Sequence, residues 1–79
     1  MSAQVLGIIG VGMLLTGFGL NLVGWLSEKS PIYLLLNLVG ALLAAVYAWS
    51  GGLIPFVVLE LVWALVALWR LVQLSLKKT

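Results

Sequence analysis

Cysteine and histidine are absent from this 79-residue chain, and its charge rests on four Lys or Arg and two Asp or Glu. Without cysteine there is no disulfide, no thiolate metal site and no cysteine nucleophile, while the redox compartment stays open. Without histidine, zinc sites, Ser-His-Asp triads and His-ligated haem all lack their parts. Only one carboxylate, Glu60, falls inside an apolar run, so a nucleophile and base cannot be assembled from one chain. The expectation is therefore no enzyme, no metal and no cofactor. Four basic residues cannot form the cationic stripe that phosphate backbones need, which sets nucleic acid aside as a partner. No basic residue precedes the first apolar run, so that run is expected to be retained rather than cleaved as a signal peptide.

What is present is apolar. Charged side chains are 8% of the chain, against about a quarter in soluble domains, whereas hydrophobic ones are 65% and the mean hydropathy is +1.30. A soluble globule this short would bury only about 60% of its unfolded surface. The lipid bilayer is thus the expected solvent. Val5 to Leu26 is broken only by Thr16 and Asn21, and covers about 33 Å as a helix. Ser27-Glu28-Lys29-Ser30-Pro31 then interrupts the run, with Ser30 placed as an N-cap and Pro31 at the first helical position. Ile32 to Trp49 contains one strongly polar residue, Asn37, and Ser50-Gly51-Gly52 supplies the next turn. A third run carries Glu60 and continues past Arg70, whose guanidinium can snorkel to the headgroups. These runs are apolar on every face and too few to close a barrel. The expected fold is an all-α membrane protein, one domain over 1–79, with helices at about 5–26, 31–50 and 53–74.

Charge sets the expected topology. Lys29 lies in the first turn, and Arg70, Lys77 and Lys78 lie at the end of the third helix, whereas the N-terminus and the second turn have no basic residue. The positive-inside rule puts the N-terminus outside and the C-terminus in the cytoplasm. Trp25, Tyr33 and Trp69 then fall at the cytoplasmic interface, and Tyr47, Trp49 and Phe56 near the outer one, as an aromatic belt. Trp63 sits mid-span.

Small residues recur at helical spacing. Gly10, Leu14, Gly17, Asn21 and Gly24 share one face of helix 1, which Gly12 and Gly19 are expected to widen. Asn37, Gly40, Ala41, Ala44, Ala45 and Ala48 form a stripe on helix 2, and Glu60, Ala64 and Ala67 one on helix 3. Helix packing is expected through Gly10, Gly17, Gly24, Gly40, Ala44 and Ala64. Asn21 and Asn37 stand in two copies of Leu-Asn-Leu-Val-Gly, both in the cytoplasmic half of their helices, within reach of a mutual hydrogen bond. They serve either as interhelical glue, at about 0.6 kcal/mol each, or as polar lining. A carboxylate near the bilayer centre costs on the order of 3 kcal/mol, offset by a wet cavity, a partner or a proton. Glu60 is accordingly either a packing lock or a solute or proton site, with Trp63 one turn away as packing or as the wall of a cavity.

The pieces Leu36-Asn37-Leu38-Val39-Gly40-Ala41, Tyr47, Pro55 and Leu59-Glu60-Leu61-Val62-Trp63-Ala64-Leu65 resemble a family of small, uncharacterised bacterial three-helix inner-membrane proteins, some with a permease-like label. That resemblance implies a multi-pass protein of the inner (cytoplasmic) membrane. More distantly, the layout is similar to the PQ-loop half-transporters called SemiSWEETs, three-helix protomers that work as homodimers. Gly40, Tyr47 and Pro55 echo residues of theirs, while Leu20-Asn21, Ala44 and Glu60 stand where that family has Pro-Gln, a pocket Trp and a pocket Asn, so those three roles are not carried over. Two functions follow. One is a homodimeric half-transporter of a small solute, with a midplane site of Glu60, Trp63, Asn21 and Asn37, where two copies of Glu60 would share protons. The other is a non-transporting subunit that packs its Gly and Ala faces against another membrane protein.

Overall fold

A computed structural model describes residues 2–77, which form three helices: α1 (Ala3–Leu22), α2 (Pro31–Ser50) and α3 (Ile54–Lys77). Met1, Lys78 and Thr79 lie outside the described residues, and with them the share of the charge asymmetry expected from Lys78. The 20 residues of α1 and of α2 span about 30 Å and the 24 of α3 about 36 Å. Each helix is long and apolar enough to cross a membrane, which fits a small multi-pass membrane protein.

Local chemistry explains where the helices start and stop. The Ser2 hydroxyl accepts from the Val5 N–H at 3.2 Å and caps α1. Pro31 opens α2, where its missing N–H leaves no helical bond unmade. Both α1 and α2 end in the same device. Gly24 adopts φ +83° and Gly52 φ +71°. The Gly24 and Trp25 N–H groups donate to the Asn21 and Leu20 carbonyls at 3.1 and 2.9 Å, and those of Gly52 and Leu53 to Trp49 and Ala48 at 3.1 and 2.9 Å. These are Schellman closures, which need a left-handed residue that glycine adopts without strain. Helix 1 therefore stops at Leu22 rather than running to Leu26. The apolar run conceals this stop because hydropathy reports the medium a residue prefers and not the path of its backbone. Gly24 is likewise a turn residue: nothing lies within 4 Å of where its side chain would be, so it takes no part in helix packing.

Among the described residues the buried apolar side chains are mostly small: Ala41, Ala44, Ala45, Ala48, Ala64 and Ala67, together with Leu34 and Val57. Large apolar side chains such as Ile8, Phe18, Leu61 and Leu65 face outward. In water this would be an inside-out protein. In lipid it follows from the absence of a hydrophobic drive between helices, which leaves close backbone approach as the main source of packing energy.

The helices form a corner. α2 packs against both neighbours, and among the described residues no Cα of α1 comes within 8 Å of one in α3. On the α1 side, a methyl group on Gly10 would stand 2.7 Å from the Gly40 carbonyl oxygen and 2.8 Å from the Ala44 nitrogen, and one on Gly7 would meet the Tyr47 ring. Leu34, Ala41, Ala45 and Ala48 recur at steps of seven, four and three, on a face roughly a third of a turn further round α2. That face is left for α3, which buries Val57, Ala64 and Ala67. Gly12 and Gly19 do not widen the packing face of α1. Both have open space around them, because 100° per residue carries them to the side opposite Gly10.

Candidate functional site

Two of the four candidate site residues come together. Asn37 and Trp63 line one groove of about 230 Å³ together with Glu28, Tyr33, Leu34, Val66, Ala67 and Arg70. Glu60 and Asn21 are not among its lining residues. The groove runs along α2 and α3, starting at the α1–α2 turn that carries Glu28 and reaching inward to Asn37 and Trp63.

Each asparagine is already engaged near home. The Asn21 side-chain amide donates to the Leu26 carbonyl at 2.9 Å, bracing the turn that follows α1. The Asn37 amide donates to the Tyr33 carbonyl one turn back, also at 2.9 Å. Among the described residues no hydrogen bond joins the two, so the interhelical pair expected from the repeated pentapeptide does not form. The physical reason is competition. A short amide reaches a carbonyl of its own segment without depending on how two helices are rotated. Asn37 still touches the α1 contact, since its amide nitrogen would be 3.8 Å from a methyl group on Gly17.

Glu60 lies on the α2-facing side of α3, between Val57 and Ala64, and is partly buried. Among the described residues it has neither a hydrogen bond nor an ion pair. Trp63 follows one turn later with about half of its surface exposed, 49%, because the groove beside it is open. Glu28 and Arg70 face the same groove from the turn and from α3, yet no ion pair links them among the described residues.

The residues that sequence reasoning passed over are Tyr33, Glu28 and Arg70. A signal for two of them was available. Arg70 is seven residues after Trp63, and Tyr33 four before Asn37, so each shares a helix face with a candidate. What spacing could not show is that these two faces meet. In the sequence the charge of Arg70 speaks only to topology, and its place in the groove depends on the rotation of α3 against α2. Chemically the groove offers an aromatic wall, an amide, a guanidinium and a carboxylate, suited to holding a polar group at the edge of an apolar medium.

A model of an uncharacterised protein family matches residues 3–78, nearly the whole chain. No curated protein and no solved structure matches it, so no likeness to the PQ-loop half-transporters is found.

Proposed function

Since the chain belongs to that uncharacterised family, whose match brings no activity with it, we propose a function from the geometry: the protein is one half of a homodimeric membrane assembly that passes a small solute. The observation that carries this reading is the open corner. α1 and α3 stand apart on α2, and Glu60 sits on α3 with no partner among the described residues. A carboxylate in the hydrocarbon region costs on the order of 3 kcal/mol, which favours a second copy, a solute or a proton as its complement. Three helices in a corner enclose no path. A two-fold pair brings six helices and sets two open sides against each other, with two copies of Glu60 related by the axis. Trp63 and Asn37 then serve as the approach to that site, and Asn21 as a brace for the turn. The gathering of Lys29, Arg70 and Lys77 at one end of the molecule supports an inner-membrane orientation with a cytoplasmic C-terminus.

The test is reconstitution of the protein and of Glu60→Gln into pyranine-loaded liposomes under a pH gradient, challenged with a panel of neutral sugars and amino acids. The expected result is collapse of the gradient by one solute class, at least about tenfold slower in Glu60→Gln, with the dimer intact by native mass spectrometry. Equal rates would remove Glu60 from the mechanism. A monomer in native lipid would remove the half-transporter.

One observation favours a second reading, a non-transporting subunit. Gly12 and Gly19 leave a small-residue face of α1 open, and between them the Thr16 hydroxyl turns back to the Gly12 carbonyl at 2.7 Å. Such a face admits another helix closely. On this reading a stoichiometric partner co-purifies and is lost in Gly12→Leu, while Glu60→Gln changes nothing.

A further inference from the structure

We propose that the end of the α2–α3 groove binds the phosphate of an anionic phospholipid. Beyond the candidate site, Lys29 from the α1–α2 turn and Arg70, Gln73 and Lys77 from the last turns of α3 line a second groove of about 230 Å³, floored by Leu34 and Leu74. Three of the chain's four basic residues thus converge on one place. The α3 spacing makes this possible, because steps of three and four put Arg70, Gln73 and Lys77 on one face. Among the described residues none of the three cations has an ion-pair partner. Glu28 is the carboxylate nearby, lining the adjoining groove that shares Leu34 and Arg70. Three positive charges against one negative leave a local excess of two, which a phosphate diester and its neighbouring headgroup oxygens complement.

The α2 N-terminus adds to that field. Ser30, its N-cap, accepts no bond through its side chain, and the first N–H groups of a helix carry partial positive charge. The surroundings favour a lipid over a free anion. The groove lies at the ends of two helices that are long and apolar enough to span a membrane, the level at which headgroups sit. Through Leu74 it adjoins a cleft lined by Pro31, Leu71 and Ser75, where an acyl chain would run. A polar site continuous with an apolar cleft matches a molecule with a phosphate and a tail, and basic pockets between membrane helices are a recurrent mode of holding one.

The experiment uses the full chain in detergent micelles, titrated with phosphatidylglycerol or phosphatidylcholine, with retained lipid counted by native mass spectrometry. Phosphatidylglycerol is expected to be held about tenfold more tightly than phosphatidylcholine. Arg70→Gln and Lys77→Gln should each weaken it about fivefold. Lys77 lies on the exposed last turn, so its variant carries the test even if Arg70→Gln fails to fold. Ser2→Asp lowers the net charge by the same unit at the start of α1 and keeps a good N-cap; it should change binding by less than about twofold. Equal retention of the two lipids, or an equal loss in Ser2→Asp, would overturn the proposal. Full displacement of phosphatidylglycerol by millimolar inorganic phosphate would overturn it too, by assigning the groove to a free anion.

Discussion

The two sides of α2 are built from different residues for different ends. Toward α1 the contact is backbone on backbone: Gly10 and Gly40 oppose each other so closely that a methyl group on either would stand within 3 Å of the other's carbonyl oxygen. Toward α3 the buried positions are mostly alanine, Ala41, Ala45 and Ala48 on one helix and Ala64 and Ala67 on the other, with Leu34 and Val57 beside them. α1 carries no charged residue, whereas α3 carries Glu60, Arg70 and Lys77. The glycine side is thus a close joint where Gly10 meets Gly40, with no room for a side chain at either position. The alanine side holds its partner by methyl groups and has the polar grooves along its edge, so the chemistry of the molecule lies where packing is less absolute. The lesson concerns allocation. In lipid, small residues determine which surfaces close, and the polar residues gather beside the surface that closes less tightly.

Substitutions that enlarge one side at a time test whether the two sides of α2 differ in this way. Gly10→Ile has the largest expected effect: with backbone atoms on both sides of the site there is no flexible side chain to yield, and the loss should reach about 3 kcal/mol. Thermal unfolding in detergent, followed by circular dichroism, would read it. An unchanged midpoint would show that the α1–α2 contact is not held by these glycines. Ala64→Leu should cost less, about 2 kcal/mol, because α3 can shift along the alanine face. A cost larger than that of Gly10→Ile would show that the alanine side is the tighter of the two. Gly12→Ala is the smallest, within ~0.5 kcal/mol for the isolated protein, since nothing lies within 4 Å of the added methyl. A large loss from that change in native lipid, but not in detergent, would reveal a partner helix on the open face of α1.

Particular residues show why some of this is legible in a sequence and some is not. Ser30-Pro31 marks the start of α2 through the chemistry of a single residue, and Gly51-Gly52 its end, so both can be read locally. Gly24 ends α1 by the same closure, but it is embedded in a run where every neighbour is apolar, and no change of composition announces it. The α1 stripe Gly10, Leu14 and Gly17 has a helical period that needs no structure to see, whereas the separation of Gly12 and Gly19 from it follows only when the helix is wound at 100° per residue. The repeated pentapeptide suggests a pair between Asn21 and Asn37, but carbonyls of their own segments hold them both.

By itself the sequence determined the solvent, the number of membrane-spanning helices and the ends of α2, because hydropathy accumulates residue by residue and caps act within a turn. It also determined that His- or Cys-based chemistry has no place here. The tertiary structure alone sets α2 at the corner with α1 and α3 apart, leaves Glu60 without a partner among the described residues, and brings Asn37, Trp63 and Arg70 to one groove. Those facts depend on how each helix is rotated about its axis against its neighbour. In an apolar medium that rotation is settled by which small faces interlock, a property of pairs of surfaces that no single run of residues contains.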